Sequence, residues 1–303
     1  MSVLVWVVPE LPDLTVYVEA IQERLQGSEL EGITIASPFL LRTVTPGVDD
    51  LIGRRFLSCS RLAKQLVFAF EDDYYFVIHL MIAGRLQWVD GYKPPPKRNG
   101  LAAFRFSSGT LMFTEASKKK RASLRIVQGA EALKALNPGG LEVLGCDETS
   151  FVDRLHSVNH TLKRALTDQR VFAGIGNAYS DEILLRARLS PFKQSARLST
   201  NEAARLHQAC QAVLSEWIER LRDKAKGKFP TKVTAFHDEM VVHGKYKSPC
   251  VICAAPIQRI VYAENEANYC ANCQTEGRIL ADRSLSRLLK DNWPKRLEDL
   301  ENL

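Results

Sequence analysis

No stretch of this chain is apolar for long enough to cross a bilayer, which takes about 20 residues in a helix. There is no internal repeat and no low-complexity tract, so solenoids and disordered scaffolds are set aside. Cysteine occurs, but not as a disulfide framework. There are seven, an odd number, and Cys59, Cys146 and Cys210 stand alone. These three read as small buried apolar residues. The opening MSVLVWVV is apolar, yet it is too short for a signal peptide. It has no positive leading region and no small-residue cleavage site. Together these absences predict a protein of a reducing, cytoplasmic compartment with no membrane association. What is present is ordinary: 46% hydrophobic and 25% charged residues over a length of 303, which suggests two or three domains. The net charge of +6 hints at a polyanionic partner and fits a slightly basic soluble protein equally well.

Pro12 and Asp13 open a helix that runs to about Gln26. Proline suits its first turn and Gly27 its stop. Leu14, Val18, Ile21 and Leu25 form its apolar stripe. From Leu30 to about Val127 the chain alternates or runs apolar between turn-forming clusters. Consecutive strands without intervening helices predict an antiparallel sandwich or barrel. From about Gly145 the spacing turns helical, as in NEAARLHQACQAVLSEWIERLRDKA. A polar, lysine-rich stretch over 222–249 precedes a cysteine module, and an amphipathic RSLSRLLKDNW lies beyond it.

Cys250, Cys253, Cys270 and Cys273 have the form C-x2-C-x16-C-x2-C. Four thiolates at this spacing can surround one Zn2+ tetrahedrally. A site closed by four protein ligands is structural, not catalytic. Between the pairs, PIQRIVYAENEANY reads as a hairpin stapled by the metal, with Arg259 in its first strand. The arginine fork can grip a phosphate bidentately, although a lone arginine is more often a solvated side chain. Upstream, FAGIGNAYSDEILLRARLSP reads as helix, tight turn and helix. Gly174 and Gly176 break the run and Asn177 starts the second helix. A helix start offers free N–H groups and a positive dipole end. Asn177 can cap it and donate to a phosphate, and Lys163 lies on the preceding helix. Taken with the hairpin and the basic stretch, these features favour DNA as the partner.

The ordered segments PELPD at 9–13, RLAKQL at 61–66, His79-Leu80 to Gly84, GIGNAYSDEIL at 174–184 and PIQRIVYAENEANYC…C at 256–273 resemble the formamidopyrimidine-DNA glycosylase and endonuclease VIII family. The resemblance implies an α+β architecture with an N-terminal antiparallel β-sandwich, a helix–two-turn–helix domain and a C-terminal zinc-stabilised β-hairpin. On that pattern the expected domains are 9–130, 145–228 and 245–275, with an extension over 276–303, and DNA lies in the cleft between domains. It further implies a base-excision enzyme, a bacterial cytoplasmic monomer acting on damaged double-stranded DNA without a protein partner. Its catalytic set would be Pro9 as nucleophile, Glu10 as acid, and Lys64 and Arg259. Its DNA contacts would be Asn177, Lys163, Arg259 and Lys64. An N-terminal proline suits covalent chemistry because an α-amino group titrates near 8, well below lysine.

Two departures stand out. The stub makes Pro9 an internal imide in the chain as written, and an imide nitrogen cannot form a Schiff base. A translation start at Val8 followed by its removal, or proteolytic trimming, would free it. If Pro9 stays internal, the alternative is a catalytically silent damaged-DNA-binding protein. An unrelated zinc-ribbon protein is the more distant alternative. The family's phenylalanine wedge is also missing, which leaves Met81 or Ile82 to fill the space of an extruded base. The basic run 118–121 reads as phosphate contacts or a solvated turn, and 224–238 as a loop over the extruded base. The preferred lesion stays open.

Overall fold

The computed structural model describes residues 8–117, 119–231, 233–262, 265–281, 287–288 and 294–302. The stub before Val8, Lys118, Lys232, the hairpin positions 263–264 and most of the amphipathic stretch 283–293 lie outside the described residues. The chain divides into two compact units, Met1–Pro138 with Trp217–Ala235, and Gly139–Glu216 with Phe236–Leu303. No helix among the described residues is long and apolar enough to cross a membrane.

The first unit begins with α1 (Leu11–Leu25). Glu10 is its N-cap, and the Glu10 backbone N–H donates to the Asp13 carboxylate at 2.9 Å, which closes a capping box. Eight strands follow: β1 (Leu30–Ile35), β2 (Phe56–Leu62), β3 (Gln65–Phe70), β4 (Tyr74–His79), β5 (Gly84–Val89), β6 (Gly100–Phe106), β7 (Gly109–Glu115) and β8 (Ser123–Gln128). They form two antiparallel sheets of order β1-β6-β7-β5 and β2-β3-β4-β8. Alternate positions of β3 and β6 send Phe68, Phe70, Phe104 and Phe106 to the shared interior. Phe70 stacks on Phe106 at 6.4 Å, and Phe76 lies 5.4 Å from Phe104, so rings of one sheet meet rings of the other. Each such ring contributes roughly 1.5–3 kcal/mol by leaving water.

Hydrogen bonds made by Tyr17, Gln22 and Arg24 lock α1 and the segment around Gly227 onto this unit. The Tyr17 hydroxyl donates to the Leu86 carbonyl and accepts from the Leu86 N–H, at 3.2 and 3.1 Å. Gln22 accepts from the Cys59 N–H at 2.8 Å. Arg24 reaches the Gly227 carbonyl at 3.3 Å, beside Phe229, which packs on Tyr17. Phe229 and Val233 are both buried in the sandwich core, so part of the 224–238 segment is anchored there.

In the second unit the helical spacing resolves into α2 (Ala130–Lys134) just ahead of it, then α3 (Glu148–His156), α4 (Leu162–Thr167) and α5 (Asn177–Ala187). The long α6 (Thr200–Ala225) carries residues of both units. Phe151 and Phe172 stack at 4.7 Å in the helical core. The cysteine module forms β9 (Ile257–Tyr262) and β10 (Asn265–Cys270), an antiparallel pair, and then α7 (Ala271–Thr275). Leu280 and Leu297 pack against Ile260, Tyr269 and Ala271, and the Leu280 N–H donates to the Tyr269 hydroxyl at 2.8 Å. The chain after the last cysteine therefore returns to brace the hairpin, a role its sequence did not disclose. Cys59 and Cys210 are buried as expected. Cys146 is only partly so, because its thiol stays at the edge of α3, donating to the Val143 carbonyl at 3.3 Å.

Candidate functional site

In the first unit, Pro9 and Glu10 lead directly into α1 and are both buried. Glu10 is fully so, at 0% exposure. Lys64 is half-buried in the two-residue turn between β2 and β3. Ala63 beside it holds φ at 52°, a left-handed value, and Arg61 donates to the Ala63 carbonyl at 2.7 Å to secure the turn. His79 closes β4 close enough to Lys64 and Arg125 to feel their charge. Its own burial and these two cations push its pKa down to about 4. It is therefore neutral near pH 7, and its Nδ1 accepts from the Met81 N–H at 3.0 Å, which places the ring proton on Nε2.

Met81 stands at φ 53° in the turn that runs into Gly84. Gly84 has no substitute there. A Cβ would lie 2.2 Å from the Leu80 carbonyl oxygen, which accepts the Gly84 N–H at 2.9 Å. Arg85 donates to the Ile82 and Gly84 carbonyls and wraps the turn. Across the sheet Glu115 pairs with Gly84. The buried Glu115 carboxylate accepts from the Arg121 and Ala122 N–H groups at 3.0–3.2 Å, and Lys120 donates to its carbonyl at 2.6 Å. One acid thus shapes the described part of the basic loop. Sequence reasoning passed over Glu115, because nothing in its spacing marks it.

In the second unit, Gln169 staples the glycine turn. Its amide accepts from the Gly174 N–H at 2.8 Å and donates to the Ile175 carbonyl at 2.7 Å. Gly176, not Asn177, is the N-cap of α5, and Asn177 is the first helical residue. The reason is local: Gly176 takes the extended backbone that precedes a helix, at φ −139°. Lys163 also differs from the expectation. It is 3% exposed and its Nζ is ion-paired with Asp181 at 2.5 Å and donates to the Asn177 carbonyl at 2.6 Å. It is a buried strut beneath Asn177, held by these two partners. An ammonium this deep must be paired, which is what Asp181 supplies.

Asp181 also accepts from His243 Nδ1 at 2.8 Å. Its burial would raise its pKa, but Lys163 and His243 outweigh that and hold it low. Glu182 beside it accepts the N–H groups of Val241, Val242 and His243 at 2.9–3.2 Å; burial still dominates and raises its pKa. Arg259 is the exposed member of the set. Its guanidinium lies over the Tyr246 ring at 4.7 Å, with Glu266 3.8 Å from its Nη1. Asp181, Glu182, His243 and Tyr246 carry no sequence pattern that would have found them.

The cysteines are brought together. The sulfurs of Cys250, Cys253, Cys270 and Cys273 all lie within 4.8 Å of one another, with Cys253–Cys270 at 3.4 Å and Cys250–Cys273 at 4.0 Å. Sulfurs about 2.3 Å from a central zinc ion would stand about 3.8 Å apart, so the cluster fits a tetrahedral metal. Burial and thiol neighbours raise Cys270 and push Cys273 up to about 11. At Cys253 hydrogen bonds from the Ala255 backbone and neighbouring thiols overcome the burial cost and lower its pKa. N–H groups of Ile252 and Cys273 point at the sulfurs of Cys250 and Cys270, as thiolate ligands require.

A β-sandwich unit, a helix–turn–helix with an asparagine at its turn and a four-cysteine hairpin presenting an arginine occur together in this chain. Residues 8–121 match the formamidopyrimidine-DNA glycosylase N-terminal domain and 143–227 match the formamidopyrimidine-DNA glycosylase H2TH domain. Similar proteins include the formamidopyrimidine-DNA glycosylase of Neisseria meningitidis, 31% identical over 88% of this chain and 99% of the relative. That of Thermus thermophilus is 30% identical over 89% and 99%. Among solved structures, MutM in complex with DNA containing carbocyclic 8-oxo-G superposes with a TM-score of 0.77 at 25% identity, covering 88% of this chain and 100% of that one. The Lactococcus lactis enzyme with DNA containing Fapy-dG gives the same values. The chain belongs to the formamidopyrimidine-DNA glycosylase family.

Proposed function

We propose that this glycosylase excises oxidised bases from duplex DNA and then nicks the abasic site as a lyase, through a Schiff base on Pro9. The observation that carries the reading is the Pro9-Glu10 pair at the head of α1. Glu10 is wholly buried, and its N–H is tied to Asp13 in a capping box, so the dipeptide is fixed against the first turn. A secondary amine at Pro9 forms a bond to C1′ as the bond from C1′ to the base breaks; the base departs with the electron pair and takes up a proton. Loss of the amine proton and opening of the sugar ring leave an iminium, cationic at any pH. Glu10 protonates the ring oxygen. The iminium acidifies C2′. Loss of that proton expels the 3′ phosphate, and a second elimination expels the 5′ phosphate.

Lys64, Asn177 and Arg259 hold phosphates around the flipped nucleotide. Met81, presented by the tight turn before Gly84, fills the vacated stack. Relatives bound to DNA containing 8-oxo-G and Fapy-dG support an oxidised purine as substrate. Zinc in the four-cysteine cluster fixes the hairpin and takes no part in the chemistry.

The chemistry needs a free amine at Pro9, which a peptide bond to Val8 denies. Borohydride trapping on an abasic-site duplex tests this with two preparations, one starting at Met1 and one at Pro9. A covalent adduct from the Pro9 form alone is expected. No adduct from either, with zinc and DNA affinity retained, would leave a damage-binding protein without lyase activity. Equal trapping by both untrimmed forms would assign the nucleophile to a lysine.

A further inference from the structure

Asn177 and Arg259 come from elements far apart in sequence, yet a series of hydrogen bonds ending in a 3.8 Å ion pair joins them. Asp181 stands one helical turn after Asn177, on the same row of α5. Its Oδ1 and the Asn177 carbonyl share the Lys163 ammonium. Its Oδ2 accepts from the backbone N–H of Asn268 at 3.1 Å and from the Asn268 side-chain amide at 3.2 Å. Asn268 faces Arg259 in the β9–β10 register. The same amide donates at 2.9 Å to Glu266 Oε1, and the other oxygen of Glu266 lies 3.8 Å from Arg259 Nη1.

The orientation of the Asn268 amide follows from its neighbours. Two carboxylate oxygens can only be met by its NH2 end, and among the described residues its oxygen finds no partner. A buried amide that leaves its acceptor unmet is held there by what its donors do. We propose that Asp181 is a positioning residue that sets Asn177 and Arg259 in one geometry, so that two phosphate contacts form together. The proposal rests on the reading of those two residues as DNA contacts. Gripping a backbone at two points demands placement to a fraction of an ångström, and loops joined only by chain connectivity do not supply it. Lys163 passes the constraint to the turn, and Asn268 with Glu266 passes it to the hairpin.

The test is a double-mutant cycle on affinity for a duplex carrying a tetrahydrofuran abasic-site analogue, measured by fluorescence anisotropy on the full chain. Asn268→Ala cuts the relay while leaving the Lys163–Asp181 pair intact, and Asp181→Asn removes its centre. Both are expected to weaken binding about tenfold, referred to the folded, zinc-bound fraction of each variant. Arg259→Ala is expected to weaken the parent about tenfold and the Asn268→Ala variant much less, because the arginine is already misplaced there. A structural role alone would lower the active fraction and leave the Arg259→Ala factor unchanged. That multiplicative result overturns the proposal while the DNA-contact reading stands. If neither Asn177→Ala nor Arg259→Ala weakens binding, the DNA-contact reading fails and takes the proposal with it. Should Asp181→Asn fail to fold, Asn268→Ala decides the question.

Discussion

The two units are held together by different physics. The sandwich unit packs phenylalanines: Phe56, Phe68, Phe70, Phe76 and Phe104 are each about 1% exposed, and they meet edge-on or tilted. Its stability is spread over area, so any one contact is replaceable. The second unit buries Lys163, Asp181, Glu182, His243, Glu266 and Asn268 and gathers four thiols. There each group depends on a named partner, and losing one strands another. A non-directional core tolerates change, whereas a buried polar network holds a small number of functional side chains in one arrangement.

Four experiments break or sharpen this contrast. The largest effect is expected from removing the metal. A zinc site of this type is worth on the order of 10 kcal/mol to the fold around it. Chelation should speed amide exchange through 241–275 and leave β2–β4 protected; equal loosening of both would deny the contrast. Next, Lys163→Met strands the Asp181 carboxylate and should cost about 3–5 kcal/mol in urea denaturation. The double variant Lys163→Met with Asp181→Leu should recover little of that loss, because the leucine leaves the buried His243 and Asn268 donors unmet.

The third experiment carries a charge test into the sandwich. Folded His79 titrates at about 4 and an unfolded histidine near 6.5. Between those values the unfolded chain takes the proton and the folded one does not. Stability is thus unaffected above about pH 6.5 and falls as the pH drops towards 4, by about 3 kcal/mol at most. His79→Gln should flatten that acid limb, and an unchanged limb would assign it to other groups. The smallest effect is expected at Phe76→Leu. A near-conservative apolar change in the phenylalanine core should cost about 1.5 kcal/mol, well below Lys163→Met. A larger cost would show the sandwich to be as unforgiving as the polar unit.

Legibility followed the same division. The helix from Leu11, the run of antiparallel strands and the four-cysteine hairpin could be read from proline placement, alternation and spacing, because those elements answer to neighbours in sequence. The burial of Lys163 was not legible, for the opposite reason. A lysine on a helix beside a glycine turn has no local sign of burial; Asp181, eighteen residues on, decides it. Asn177 was placed correctly at the helix start, but Gly176 took the cap. Glu115, Gln169, His243 and Tyr246 escaped notice altogether, since a single polar residue gains meaning only from what the fold sets against it.

By itself the sequence determined which residues can do chemistry here: a proline followed by an acid, an asparagine at a glycine turn, an arginine between cysteine pairs. Local periodicity and covalent geometry fix those features wherever the chain goes. Only the tertiary structure decided which cations are buried and which are presented. It also decided that one carboxylate, Asp181, receives a helix, a loop and a strand at once. Burial and hydrogen-bond partnership are properties of distance in space, and spacing along the chain does not encode them.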